Sequence, residues 1–533
     1  MSVEKRCDSL ASGLEMLVEE DRCKFVEFGF GDRTTPRMDR IHHAFEQWVA
    51  VDPERTAVES AAGSISYGDL NDRAEAIASE LIGRGVREGE AVGLFLSRSI
   101  EMIVGILGIL KAGAAYVPQD ARIAPAGHLL HIVETARIDH ILTASQYLPL
   151  MPTQAQLLAI DRLQFEPKDH GVLVPRASGR HGLTAAIVFT SGTTGKPNGV
   201  QITHANLVNT LLDSPASLTI TAGARVAQIL NISFDMAIWE ILGSLVHGAT
   251  LVIRGASIQE TISQVDVAIA TPSIVATLNV EKSKNLKVLA VAGERCPQTL
   301  VETWSAFCDF YNACGPTEVS IVNTIQAYPR TKTPGRSVSL SVGRPLPNNS
   351  VYILDSSLNP LPIGAVGEVW AGGACVSAGY VGNTSLTAER FVQDPFMPGG
   401  RMFRTRDLGA WNSQGELEIY GRTDDQVKVR GGFRVELDAV TTAMEAAQKC
   451  QQATTILHEG QLWGFVVPET VELQHVVQAV EHALPYYCVP HRVVGVDSLP
   501  LTSRGKIDKR QLMRLALDLA GPSGLSLLRE NAA

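Results

Sequence analysis

The chain has 533 residues, 45% hydrophobic and 19% charged, enough for several folding units with large buried cores. Its net charge of −10 leaves no basic footprint, which excludes nucleic acid as the main partner. The longest apolar run, IEMIVGILGILKAGAAYV, is broken by charge and glycine short of a membrane span, no signal peptide is apparent, and the eight cysteines form no CxxC pair, so a cytoplasmic protein without a zinc site or disulfide framework is expected.

Residues 1–38 read as an acidic, irregular extension. From residue 39, helical patterns (IHHAFEQWV, YGDLNDRAEAIASELIGRG) alternate with short branched strands (EAVGLFL, HILTA, ATLVIRG, DVAIATP, LKVLAVAG). That alternation predicts an α/β protein with mainly parallel sheets. Between 343 and 380 strands are separated by turn signals, which predicts hairpins or a small barrel. The core is therefore placed at 39–423. Residues 424–533, with helical AVTTAMEAAQ and LQHVVQAVEHAL and extended GQLWGFVVP, form a small α+β lid domain.

Six stretches carry chemistry. FTSGTTGKPNGV (189–200) follows a buried strand, LTAAIVF, and can turn backbone N–H groups and hydroxyls toward an anion. It is not a Walker A loop, because Gly192 precedes Thr193, Thr194, Gly195, Lys196 and then Pro197; by itself it serves equally as phosphate holder or linker. In NISFDMAIWEIL, Asp235 opens a helix with Trp239 one turn on; Asp235 is either an N-cap or an acceptor for a substrate ammonium, and Trp239 either core or pocket wall. In YNACGPTEVS, Glu318 follows a Gly-Pro turn, where a carboxylate suits either Mg²⁺ bridging phosphates or a helix N-terminus. FRTRDL and GRTDDQVKVRGG offer Asp407 for the hydroxyls of a ribose, with Arg422 to assist, or simply a solvated turn. LTSRGKIDKRQL places Lys506 after a glycine turn.

Their joint order resembles the adenylate-forming superfamily, specifically the adenylation domains of nonribosomal peptide synthetases. The match runs from about residue 40 to 512 and includes ISYGDL, LKAGAAYVPQD, FTSGTTGKPNGV, FDMAIWE, NACGPTE, GEVWAGGACVSAGYVGNTSLTAERFV, FRTRDLG, GRTDDQVKVRGG, LPYYCVP and LTSRGKID. The resemblance implies the ANL fold: a large N-terminal domain of two stacked α/β subdomains and a β-barrel, then a small mobile C-terminal domain hinged at Asp424. It implies formation of acyl-AMP and pyrophosphate from a carboxylate and ATP with Mg²⁺, followed by transfer to the phosphopantetheine thiol of a carrier domain. Carried over by position, Lys506 contacts the substrate carboxylate and α-phosphate, and Glu318 ligates Mg²⁺. Thr190 and His204 join them as catalytic residues. The nucleotide is held by Ser191, Gly192, Thr193, Thr194, Gly195, Lys196, Asn312, Cys314, Gly315, Thr317, Asp407 and Arg422. Four positions depart from the family pattern: Cys314 replaces the aromatic that stacks on adenine, Asn198 a lysine, Arg406 a glycine, and one glycine is inserted after Arg430.

By the same resemblance Asp235, Met236, Trp239, Ile269, Ala290, Ala292, Ala313, Ile321 and Val322 line the substrate pocket, with Lys506. A buried carboxylate among uncharged walls selects an α-ammonium, and the walls suit a bulky apolar or aromatic amino acid. An N-methylated ammonium, held by Asp235 and by cation–π attraction to Trp239, is the alternative. About 27 residues follow Lys506, too few for a carrier bundle, so the carrier acts in trans or belongs to a longer synthetase. Three other readings stay open: an acyl- or aryl-CoA ligase, the first domain of a carboxylate reductase resembling these synthetases, and a non-catalytic nucleotide-binding module suggested by Cys314 and Asn198.

Overall fold

The computed structural model describes residues 14–152, 154–163, 182–191, 196–212, 214–330, 340–424, 426–501 and 507–519. Its chain divides into two compact units. The first holds residues 1–122, 135–189 and 199–423, and the second holds 123–134, 190–198 and 424–533.

Two α/β sheets and one antiparallel sheet build the first unit. The largest is nine-stranded. Its strands Asp309–Cys314, Val288–Val291, Val267–Ala270, Arg225–Gln228, Thr250–Ile253 and Thr56–Ser60 run parallel in that spatial order, with antiparallel strands at both edges. These strands are short, apolar and buried on both faces, as parallel strands covered by helices must be. The six-stranded sheet includes Ala91–Phe95, Ala115–Gln119, His140–Thr143 and Thr184–Thr190. Strands Asn349–Leu354, Gly367–Gly373, Phe391–Gln393, Arg401–Trp411 and Leu417–Arg422 make the antiparallel sheet where turn signals were dense.

The long apolar run becomes the helix Ile100–Lys111, capped by Ser99 and buried from Met102 onward. Two glycines allow its close packing: a Cβ on Gly105 would lie 2.6 Å from Leu94, and one on Gly108 2.5 Å from Ile77. No described helix is long and apolar enough to cross a membrane.

Of the extension expected to be irregular over 1–38, the described part from Leu14 onward contains a helix. Residues Glu19–Gly29 form a helix whose Phe25 and Val26, with Leu14 and Leu17, pack on Tyr352, Trp370 and Met402 of the antiparallel sheet and on Phe396 between two of its strands. Phe25 stacks on Tyr352 at 5.6 Å. Its acidic first turn (Glu19, Glu20, Asp21) masks the short apolar face beyond it.

In the second unit, a hairpin (Gln426–Val429, Phe433–Glu436) precedes a three-stranded sheet of Gln452–His458, Gln461–Val467 and Arg492–Gly495. Helices Leu437–Glu445 and Leu473–Ala483 bury Val440, Met444, Val476 and Val480 in this unit's own core. The inserted glycine lies in the hairpin's turn, where Gly431 (φ +95°) and Gly432 (φ +77°) both take backbone angles that other residues avoid.

Candidate active site

The strand Arg225–Gln228 leads through residues 229–235 into the helix Met236–Leu245. Asp235 holds the N-cap position and is only 9% exposed, yet its side chain makes no capping hydrogen bond. Helix capping therefore does not account for the residue. One turn on, Trp239 is fully buried and its indole Nε1 donates to Ala216 O at 2.6 Å, which fixes the ring edge.

The carboxyl ends of neighbouring parallel strands carry the residues expected to line the substrate pocket. Ile269 pairs in register with Ala290, and Ala290 with Tyr311; Val291 pairs with Asn312 one residue further. Side chains alternate along a strand, so Ile269, Ala290, Ala292 and Ala313 share one face and Asn312 points to the other. Consecutive residues 312 and 313 thereby serve opposite sides of the sheet. All four lining residues are buried, as are Met236, Ile321 and Val322.

The turn after the strand Asp309–Cys314 is strained. Ser320 (φ +59°) and the β-branched Ile321 (φ +82°) are both left-handed, a conformation kept only where surroundings enforce it. Ser320 Oγ donates to Cys375 O at 2.9 Å, and a side chain on Gly315 would meet Val322 Cα at 2.6 Å. Within this turn Glu318 is fully buried, and the Tyr380 hydroxyl donates to its Oε1 at 2.7 Å. The sequence reading missed Tyr380, because nothing local ties a tyrosine to a carboxylate 62 positions away.

Asn312 donates through Nδ2 to Ser341 O at 2.7 Å, which sets its amide orientation. Cys314 and Thr317 are half-buried. Asp407 and Arg422 face each other in register on antiparallel strands, with Arg422 Nη1 donating to Asp407 Oδ1 at 2.5 Å. Arg406 has φ +63°, the conformation that makes glycine usual there, and it pairs with Glu389 at 3.1 Å.

The second unit contains the ends of the small-residue loop. Thr190 is buried and donates from Oγ1 to Asn198 O at 3.4 Å. Ser191 Oγ donates to Arg434 O of the hairpin at 2.8 Å, and the His131 Nε2 lies 3.0 Å from Pro197 O. Lys196 is exposed and Asp424 half-buried. Gly192, Thr193, Thr194, Gly195 and Lys506 lie outside the described residues.

His204, expected among the catalytic residues, lies in the core of the first unit. This residue starts the helix His204–Leu211, is fully buried, and receives the Ile41 amide at Nδ1, 3.4 Å away. Burial, then Arg40 and His43, push its pKa down to about 3, and its ring packs 5.5 Å from His42.

Mg²⁺ suits this arrangement. The ion prefers one or two carboxylates plus phosphate oxygens and water to an all-protein cage. Glu318 offers one oriented carboxylate, and no group of three or more His, Cys, Asp or Glu forms a cage among the described residues.

The AMP-binding enzyme family model matches residues 45–381. Adenylate-forming reductase 06235 of Coprinopsis cinerea is 42% identical over 512 residues, covering 95% of this chain and 49% of that protein. Nonribosomal peptide synthetase sirP of Leptosphaeria maculans is 36% identical over 482 residues, covering 89% of this chain and 22% of that protein. The chain spans about half the length or less of these curated relatives. Among solved structures, holo-PA1221, an NRPS protein containing adenylation and PCP domains, superposes with a TM-score of 0.80 at 27% identity, covering 89% of this chain and 84% of that one. The Vibrio cholerae adenylation domain AlmE shares the fold with a TM-score of 0.79 at 21% identity, over 91% of this chain and 99% of that one. With these matches spanning nearly all of it, the chain belongs to the AMP-binding enzyme family as an adenylate-forming enzyme with the ANL fold of nonribosomal peptide synthetase adenylation domains.

Proposed function

We propose that the chain joins the carboxylate of an ammonium-bearing acid to AMP, releases pyrophosphate, and passes the acyl group to the phosphopantetheine thiol of a carrier domain. The observation that carries this reading is Asp235, a carboxylate only 9% exposed at the start of the helix Met236–Leu245; the other described residues assigned to the pocket wall are buried and uncharged. Such a group favours a cationic nitrogen on the substrate, and the alanines at 290, 292 and 313 leave room for a bulky apolar or aromatic side chain. Attack of a carboxylate on the α-phosphate brings two anions together, so catalysis is mostly positioning and charge neutralisation. In this reading Lys506 meets the α-phosphate, Asp407 and Arg422 hold the ribose, and Asn312 reads adenine. Thr190, Ser191, Thr193 and Thr194 hold the leaving phosphates. Bound Mg²⁺ adds positive charge against the polyphosphate, and Glu318 is its protein ligand.

ATP–pyrophosphate exchange across the amino acids and several betaines tests this. Exchange is expected with a bulky apolar or aromatic amino acid, to be lost in Asp235→Ala and Lys506→Ala. No exchange with any ammonium-bearing acid overturns the proposal. Turnover of CoA with an aryl acid that survives Asp235→Ala favours the CoA-ligase class instead.

A second reading concerns the fate of the loaded thioester. Two relatives at 42% and 41% identity, each about twice as long, are adenylate-forming reductases. They favour reductive release of the thioester to an aldehyde by a further domain. Consumption of NADPH with aldehyde formation, assayed on the full-length protein, decides that step.

A further inference from the structure

Glu240 follows Trp239 on the helix that Asp235 opens, and it is fully buried. Its Oε1 accepts the Ile229 amide at 2.8 Å, and both oxygens accept the Leu230 amide at 3.2 Å. Gln228 Nε2 donates to Oε2 at 3.2 Å and to Leu230 O at 2.8 Å. Arg98 completes the arrangement: its Nη2 donates to the carbonyls of Ile229 and Leu230 at 3.1 and 2.9 Å. The backbone at 229–230 is thus held by a carboxylate on its N–H groups and a guanidinium on its C=O groups.

These two residues begin the connection that ends at Asp235. The rest of it has its own ties: Ser233 Oγ accepts the Asp120 amide at 3.2 Å, and Asn231 Oδ1 accepts the Ser233 amide at 2.9 Å. Because Glu240 sits on the same helix as Asp235, its bonds fix the helix against the end of the strand Arg225–Gln228. That strand neighbours Val267–Ala270, which carries Ile269 of the lining. Burying both charges is expensive: desolvation pushes the Glu240 carboxyl up to about 8 and Arg98 down to about 10. A glutamine could keep one oxygen on both amides, but its Nε2 would set a donor 3.2 Å from the Gln228 and Leu230 nitrogens.

We propose that Glu240 and Arg98 are positioning residues for Asp235, setting where its carboxylate meets the substrate ammonium. The idea rests on the proposed role of Asp235 as acceptor for that ammonium. Its test compares two ligands: the amino acid that best supports exchange, and the acid of the same skeleton without nitrogen (for phenylalanine, 3-phenylpropanoate) as a competitive inhibitor. In Glu240→Gln the shape is kept, but one acceptor becomes a donor facing a peptide N–H. This variant and Arg98→Lys are expected to raise KM for the amino acid roughly tenfold or more, since displacement of a reacting group by about 1 Å costs up to ~10²-fold. KM for ATP and the inhibition constant of the nitrogen-free acid should stay within about twofold of wild type. A merely structural role lowers Tm, with the ratio of the two ligands' affinities unchanged in both variants; that result overturns the proposal. Asp235→Asn separates the underlying reading: if it leaves the ratio unchanged, the assignment of Asp235 itself fails, whatever Glu240 does.

Discussion

Tyr380 donates its hydroxyl hydrogen to Glu318 Oε1 at 2.7 Å, with both residues buried. The bond sets the rotation of a carboxylate that sits in a turn of left-handed residues. Groups that orient a metal ligand typically influence affinity about 10- to 100-fold. Tyr380→Phe should therefore raise the Mg²⁺ concentration giving half-maximal exchange about tenfold, with the rate at saturating Mg²⁺ much less affected. Glu318→Gln should lose activity at every Mg²⁺ concentration. Titration of exchange with Mg²⁺ at fixed ATP checks both.

The Arg422–Asp407 pair, 2.5 Å between strands in register, sets the carboxylate proposed to take the ribose. Hydrogen bonds to charged groups contribute about 1.5–3 kcal/mol. Arg422→Ala should raise KM for ATP roughly tenfold while leaving KM for the amino acid nearly constant, as read from exchange kinetics with each substrate varied in turn.

Cys314, half-buried at a strand end and paired in register with Thr324, replaces an aromatic common in the family. Base stacking on an aromatic side chain is worth about 1–3 kcal/mol. Cys314→Tyr should bind ATP roughly 5- to 100-fold more tightly by calorimetry, with the preference among amino acids unchanged.

His204 and His42 predict sensitivity to acid. Burial is the first cause that lowers the pKa of each, to about 3 for His204 and well below the usual value for His42. The unfolded chain takes up protons on these rings below pH ~6.5, and the folded chain does not until far lower. Stability is therefore complete above ~6.5 and falls as pH drops toward 3, by up to ~1.4 kcal/mol per pH unit for each ring. Urea denaturation between pH 7 and 5 should show this loss, and His204→Gln should flatten the slope although it starts less stable.

The sites differ in how far they were legible before folding. Asp235, Glu318, Asp407 and Arg422 stand in short motifs whose order along the chain names the family, so their candidacy needed no coordinates. Tyr380, Arg98 and Glu240 were not singled out. Tyr380 and Arg98 act through partners distant in sequence, 62 positions for Tyr380 and Glu318 and 131 or 132 for Arg98 and the backbone it holds; Glu240 reaches back only 10 or 11 positions, but nothing along its helix marks a buried carboxylate as a backbone clamp. His204 shows the converse case. It lies close after a functional loop, but burial against Ile41 and His42 makes it core.

By itself the sequence determined the alternation of helix and strand, the parallel sheets, the separate C-terminal segment and the class of chemistry. These arise from hydrophobic period and from motif order, both local along the chain. Only the tertiary structure decided that the N-terminal segment folds as a helix against the antiparallel sheet. It also decided the register that brings Ile269, Ala290 and Ala313 of three strands to one face, and that a carboxylate and a guanidinium together hold the peptide leading to Asp235. Burial and register arise from contacts between distant segments, and no pattern read along one segment contains them.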